Sequence, residues 1–485
     1  MPKAKFVSGN IFRHIILMSS TNAIGLTALF LVDLADLFFI SLLGEAELAA
    51  AVGYAGTIAF FTTSISIGLA IAMTALVSKA IGQRDIARAR RLVTHVLATG
   101  LLISASIAAL AWWFAPELLS LIGAKGTTHD LAVNYLRILL PSLPVLGLAM
   151  SAGAALRSVG DAKRAMWSTL AGGGVNALLD PLFIFAFGLG LPGAAIASVL
   201  ARFVVAGVAL YGVSSKHHLL TAFDWRLWLA DNRVILKVAG PAMMTNVATP
   251  IGNAYVTAAI AVFGDAYVAG WAVVGRMMPV AFAMIFSLSG AIGPIIGQNF
   301  GAHDYPRVRD ALIKALYFNT GFVLLVSLLL YWAQGLVILG FGVAGEAASL
   351  ISFFCTWISF SFIFNGAMFV GNAAFNNLGY PSTSTLINFG KATLGTIPFV
   401  YLGGQWFGPL GVVAGQAVGT VLFGLLALRL AFYTVNRVTE KHQRSLEEQV
   451  ALSPDMPLTP FCSSRAYMCA EAEIDESTNG DSIKL

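Results

Sequence analysis

Charge is scarce in this chain. Asp, Glu, Lys and Arg make up 11% of its 485 residues, where soluble domains carry roughly 25%. An ordinary soluble globule is thereby excluded. Cysteine is scarcer still: Cys355, Cys462 and Cys469 show no metal-ligand spacing, and two of them lie in a polar tail. They read as isolated thiols, and no metal site is expected from them. The seven histidines form no cluster either. His14 and His95 fall near helix ends, His129 near the opposite entrance to a helix, and His217, His218, His303 and His442 in loops or the tail. None converges with a nucleophile, so a membrane-embedded enzyme is not expected.

What is abundant is apolar sequence, at 58% of residues. Runs of about 20 or more such residues recur along the chain, each long enough to cross roughly 30 Å of hydrocarbon. Inside lipid the backbone must satisfy its own hydrogen bonds, and these continuous runs do so as helices; a closed barrel would need short alternating segments. Twelve spans are expected, near 12–43, 48–80, 92–114, 130–156, 164–189, 192–215, 238–263, 266–298, 310–338, 346–377, 382–404 and 408–435. The run after Arg13 is too long for a cleaved signal core and reads as span 1.

The net charge of +5 does not point to nucleic acid, because of where the bases lie. Lys3, Lys5 and Arg13 come first. Lys79, Arg84, Arg88, Arg90 and Arg91 follow, then Arg157, Lys163 and Arg164, then Lys216, Arg226, Arg233 and Lys237, then Arg307, Arg309 and Lys314. All fall on one side of a twelve-span topology. The opposite side offers Lys125 and Arg137 beside acidic Glu45, Glu47, Glu117, Asp265 and Glu346. This positive-inside bias puts both termini in the cytoplasm of a cell membrane, the inner or plasma membrane. Partners are then the lipid bilayer and small molecules, and the chain is expected to act as a monomer. Residues 438–485 are polar, with Pro454 and Pro457, and read as a disordered cytoplasmic tail.

The two halves repeat. Gly82-Gln83-Arg84-Asp85 with Arg88 and Arg90 returns as Gly301-Ala302-His303-Asp304 with Arg307 and Arg309, and Leu191-Pro192-Gly193-Ala194-Ala195 as Pro409-Leu410-Gly411-Val412-Val413. The expected organisation is an N-lobe over 1–215, a cytoplasmic linker over 216–237, a C-lobe over 238–437 and the tail. Parallel repeats of this kind are a transporter architecture, with substrate bound where the halves meet.

The halves differ where it matters chemically. Asp36 in span 1 aligns with Val256 in span 7, and Asp180 in span 5 with Ile397 or a neighbour. A centrally placed aspartate costs roughly 2.5–3.5 kcal/mol on insertion scales, so both acids are candidates for function. Each lies roughly 12–14 Å below the outer boundary if helices end near Gly44 and residue 189. Asn176 is one turn from Asp180, and Ser198 enters from the same side in span 6. Two carboxylates, an amide and a hydroxyl at one depth make a site for H⁺ or Na⁺. No other cofactor is expected, and the small ligand count favours H⁺. Bland readings compete: Asp180-Pro181 as a helix cap, or Arg202 as a permanent ion pair for Asp180. Asp33 joins the network or stands by in the cleft. Arg276 and Lys391 line the cavity as counter-charges or snorkel.

Together these motifs resemble the multidrug and toxic compound extrusion (MATE) family. The carriers are Val32-Asp33-Leu34-Ala35-Asp36 running to Leu43-Gly44, Ala155-Leu156-Arg157-Ser158-Val159-Gly160-Asp161, and Gly174-Val175-Asn176-Ala177-Leu178-Leu179-Asp180-Pro181 leading into Gly193-Ala194-Ala195. The resemblance covers nearly all of residues 10–435. It implies a V-shaped pair of six-helix bundles exporting amphiphilic, often cationic drugs or metabolites by cation antiport, with Asp36, Asp180, Asn176 and Ser198 on the ion-coupling positions. Some relatives use acids in helices 7 and 10; this chain has none there, so coupling should rest on the first half. Thr21 stands where relatives commonly place a bending proline. A lipid-linked oligosaccharide flippase of the same superfamily is the alternative, for which Arg202, Arg276 and Lys391 would face phosphate.

Overall fold

Backbone hydrogen bonding within each apolar run is the force that shapes the chain. A computed structural model describes residues 4–43 and 46–451, and among them every regular element is helical. The first half supplies six membrane-length passes. Span 1 is Ile11–Ser41, span 2 Ala46–Gly82 and span 3 Ile86–Trp113, followed by a short helix, Ala115–Leu121. Span 4 joins Gly126–Leu139 to Leu143–Ser158, span 5 is Ala162–Pro181 with a π turn at Leu182–Ala186, and span 6 is Gly190–Tyr211. In the second half, span 7 is Trp225–Ala261. Span 8 is Asp265–Ala281 with Ala283–Gly301, bent by 45°. Span 9 is Tyr305–Gly340, and span 10 runs from Gly345–Phe353 to Phe362–Leu378.

Spans 11 and 12 share one continuous stretch, Pro381–Ala392 running into Ile397–Ala451. Gly408 breaks it with φ 64° and ψ −147°, a conformation that residues with a Cβ avoid. The chain folds back there. A Cβ on Gly411 would lie 2.0 Å from the Gly403 carbonyl oxygen, and one on Gly419 would lie 1.5 Å from that of Gly395. Two helices in such contact are separate antiparallel passes, which brings the described residues to the twelve expected spans.

Helix starts lie earlier than hydropathy places them, because polar caps extend the helices beyond the apolar runs. Asp85, Asp161, Asp224 and Asp304 accept from the backbone N–H of Arg88, Arg164, Leu227 and Arg307. The expected linker over 216–237 is accordingly shorter: Asp224 caps span 7, and residues 225–237 are already helical. Asp161 also accepts from His217 Nε2 at 2.8 Å and from Arg164, tying span 5 to the chain leaving span 6. Burial alone would push its carboxyl up, but the His217 hydrogen bond, the Arg164 amide and the charges of both residues hold it down at about 2. Its contribution is therefore complete above the ordinary value of 3.8 and fades as pH falls from there toward 2.

The end of the last helix differs from expectation as well. Residues 436–451 form a unit of their own and are helical, not tail. Glu440, Lys441, Arg444 and Glu447 are good helix formers, and Glu440 and Arg444 stand one turn apart. The rest of the predicted tail, 452–485, lies outside the described residues.

The halves meet near the end of the molecule that carries the basic loops. Gly68 lies against Met243, Gly82 against Gln298, Gly297 against Ser78 and Gly301 against Lys79, each too close for a Cβ. Asn22 Nδ2 donates to the Ser287 carbonyl at 3.0 Å and Ser287 Oγ to the Ser19 carbonyl at 3.0 Å. The amino-terminal segment plugs the seam. Phe6 is 3% exposed. Its N–H donates to Gln298 Oε1 at 2.9 Å, and its carbonyl accepts from Asn299 and Arg307. Gln298 in turn donates to the Ser158 carbonyl at 2.7 Å. A second cross-half clamp holds Asp231 of span 7 to Arg91 and His95 of span 3 at 2.9 and 2.7 Å.

Toward the opposite end, spans 2, 7 and 8 turn small or polar residues outward. These are Gly53, Gly56 and Thr57; Asn253, Ala254 and Thr257; and Ala269, Ala272 and Arg276. Span 9, by contrast, exposes Leu324, Leu325, Leu328, Leu329 and Leu336. Leucine faces suit lipid, and polar faces inside a span need water. The cleft between the halves thus opens away from the termini.

The hairpin contact gives a direct test. Gly419→Ala should lower the unfolding temperature of the detergent-solubilised protein by several degrees, since overpacking costs about 1–3 kcal/mol. Gly53→Ala, at a position with nothing within 4 Å, should leave it unchanged.

Candidate functional site

Spans 1 and 5 run side by side because small residues let them approach. A Cβ on Gly25 would meet Thr169 at 3.6 Å, and one on Gly173 would meet Val32 at 3.2 Å. Continued one turn further, this register sets Asp36 beside Asn176. The Asn176 amide donates one N–H to Asp36 Oδ1 at 2.8 Å and the other to Asp180 Oδ2 at 2.9 Å. Asp180 is fully buried, and its Oδ1 has no hydrogen-bond partner. Asp36 is half-buried.

Asp180 is not a helix cap. It lies in the last α-helical turn of span 5, and the helix continues through Pro181 into the π turn. Proline has no N–H to return to the preceding turn, so the ladder resumes with wider spacing, and Phe187 N donates to the Leu182 carbonyl at 2.9 Å. Both acids are equally deep, about 8–9 Å from the ends of their helices at Ser41 and Ala186. That is shallower than hydropathy implies, because the helices stop about three residues before the apolar sequence does.

Ser198 belongs to the same level but not to the network. Spans 5 and 6 are antiparallel, with Gly193 against Phe183 and Gly172 against Ala201. Ser198 therefore stands opposite the turn between Asn176 and Asp180, half-buried and with no hydrogen bond. Arg202 is held by span 4, donating to Ser142 Oγ at 2.8 Å and to the Leu139 carbonyl at 3.3 Å. It makes no ion pair with Asp180, whose Oδ2 accepts from Asn176. The Asp33 side chain lies outside the described residues.

The second half carries cations instead. Lys391 Nζ donates to Asn365 Oδ1 at 3.0 Å, joining spans 11 and 10. Below it Asn388 and Ser384 donate to Asn372 Oδ1 at 3.0 and 2.8 Å. Arg276 is exposed on span 8. Among the described residues no group of three His, Cys, Asp or Glu side chains could hold a metal ion. The paired acids and Asn176 can take a proton or a small monovalent cation, with the bare Asp180 oxygen as the acceptor.

Sequence reasoning passed over three residues that the seam depends on: Phe6, Gln298 and Asp231. Gln298 had a visible signal, an uncharged amide directly after the apolar run 283–297. Asp231 and Phe6 had none, since their partners come from spans far away in sequence.

The comparisons agree with this architecture. The MatE family model matches residues 23–182 and again 241–402, so it covers both halves. A FAD transporter of Shewanella oneidensis is 30% identical over 442 residues, 90% of this chain and 96% of that one. The multidrug export protein MepA of Staphylococcus aureus is 21% identical over 440 residues, with the same coverage. A crystal structure of a MATE protein in complex with MaL6 superposes with a TM-score of 0.85 at 22% identity, over 91% of this chain and 100% of that one. An outward-facing multidrug resistance MATE transporter superposes at 0.84 with 21% identity, over 91% and 99%. With the profile repeated across both halves and the fold shared along its length, the chain belongs to the MatE family of multidrug and toxic compound extrusion transporters.

Proposed function

We propose that this transporter is a cation-coupled exporter working by alternating access, with Asp36 and Asp180 as the coupling acids. The observation that carries the reading is the Asn176 amide shared between the two carboxylates while Asp180 Oδ1 stays buried without a partner. A stranded buried acceptor costs about 1–3 kcal/mol. A cation on the pair relieves that cost and the repulsion between like charges together. Loading therefore stabilises one arrangement of spans 1 and 5 over another, which is the differential affinity an ion needs to shift a two-state protein.

The orientation follows the positive-inside bias. The termini and basic loops lie in the cytoplasm of the cell membrane, and the open cleft faces outward. The coupling cation enters from outside, the outer walls close, and the Phe6–Gln298 and Asp231 clamps part to admit cargo from inside. Two carboxyl groups with few further oxygens favour a proton over Na⁺. The relatives named as a multidrug exporter and a FAD transporter support amphiphilic small molecules as cargo.

Purified protein in liposomes tests this with dye efflux under separately imposed pH and Na⁺ gradients. The pH gradient alone should drive export; export driven by Na⁺ alone would overturn the choice of ion. Asp36→Asn and Asp180→Asn should each abolish gradient-driven export in protein that still folds and inserts, and full export by both would end the coupling scheme. Asn176→Ala keeps both acids but removes their shared donor. It should slow gradient-driven export roughly tenfold, the equivalent of about 1.4 kcal/mol.

A further inference from the structure

The charges within the spans are sorted by half, and the coupling scheme uses only the acidic ones. Between Val238 and Ala261 span 7 carries no acid, and spans 10 and 11 carry none between Ala347 and Ala392. What those helices and span 8 do carry is Arg276 and Lys391. Arg276 is exposed and has no hydrogen-bond or ion-pair partner among the described residues. Its face of span 8 consists of Ala269, Ala272, Arg276 and Val280, while Gly270, Trp271, Val273 and Val274 are buried among neighbouring helices. Gly275, beside it, has nothing within 4 Å. A guanidinium turned to hydrocarbon costs several kcal/mol, and small neighbours give no lipid-facing surface like the leucines of span 9. A guanidinium on this face is stable only in contact with water, as an aqueous cleft would supply.

Lys391 lies at nearly the same depth. A Cβ on Gly252 would meet Ala392 at 3.5 Å, which sets Lys391 level with Ile251, about 15 Å below the end of span 7 at Ala261. Arg276 is about 16 Å below the start of span 8 at Asp265. The acids of the first half are shallower by more than a turn. Span 2 exposes Phe60 and Phe61 beside Gly56 and Thr57, an aromatic surface that would suit a flat apolar body.

We propose that the cargo of this exporter is an amphiphile with an anionic group, a flat apolar body carrying phosphate or carboxylate, and that Arg276 binds the anion in the open cleft. Lys391, held on Asn365, supplies positive potential at the same level. Arg is suited to this task because its planar fork meets phosphate or carboxylate with two parallel N–H donors. The inference rests on the exporter reading but not on its coupling ion, since the anion and the cation bind in different halves.

Equilibrium binding to the full-length protein in discs of zwitterionic lipid, with no gradient, separates the two readings. FAD serves as the anionic probe and ethidium as the cationic one. Wild type should bind FAD, and Arg276→Gln should weaken that binding roughly tenfold or more while leaving ethidium binding unchanged. Arg276→Lys should restore part of the loss, and Lys391→Met should weaken FAD binding in the same direction. FAD bound equally well by wild type and Arg276→Gln would overturn the assignment, as would ethidium bound in preference to FAD by wild type. Displacement of FAD on adding phosphatidylglycerol to the discs would assign the site to a lipid headgroup and overturn it too. Because no gradient is applied, none of these outcomes depends on Asp36 or Asp180.

Discussion

A polar group placed in hydrocarbon must find a partner or water, and this constraint organises the whole molecule. The backbone meets it by helix formation along every apolar run. Where the ladder breaks, a specific group repairs it. Pro141 cannot donate to the Arg137 carbonyl, and the Trp112 indole does so at 3.2 Å. Arg202 covers the Leu139 carbonyl in the same broken turn of span 4. Buried acceptors left without a partner include Asn319, Asn376 and Asn377 Oδ1 as well as Asp180 Oδ1, and the last of these sits where two carboxyl groups share a single amide.

The same constraint explains how two similar halves serve different chemistry. Spans 1 and 5 approach through Gly25 and Gly173, which brings acids together in the first half. In the second half the polar interior is built from Asn365, Asn372 and Asn388 and ends on Lys391. A repeat that preserves helix packing while exchanging carboxylates for amides and an ammonium confines the buried acid pair to the first half.

Conformational change has an equally concrete basis. The seam near the termini is made by glycines that allow backbone contact, by Phe6 lodged between Gln298, Asn299 and Arg307, and by Asp231 shared between Arg91 and His95. These polar contacts sit within an apolar seam, where Ile11, Ile15 and Met18 pack with Leu288, Ile292 and Ile295, and Leu69 and Ala72 with Val238 and Ala239. On the proposed scheme the polar part of this seam is exchanged for water as the halves part.

The sequence by itself determined the membrane class, the number of passes, the repeat and the acidic residues of spans 1 and 5, because each rests on local composition or on motif order. Apolar run length reports helix length directly, and an aspartate in such a run is conspicuous wherever it falls. Helix ends differ from the apolar runs at Asp224 and Ala451 because capping and polar helix formers act beyond the run, and at Ser41 because the helix stops before the run does. Only the tertiary structure decided that Asn176 bridges both acids, that Arg202 serves span 4 instead of Asp180, and that Ser198 stands level with the pair without bonding to it. Those outcomes depend on the rotation and spacing of neighbouring helices, which are set by contacts between helices, such as Gly25 on Thr169 and Gly172 on Ala201, that no local stretch of sequence reveals.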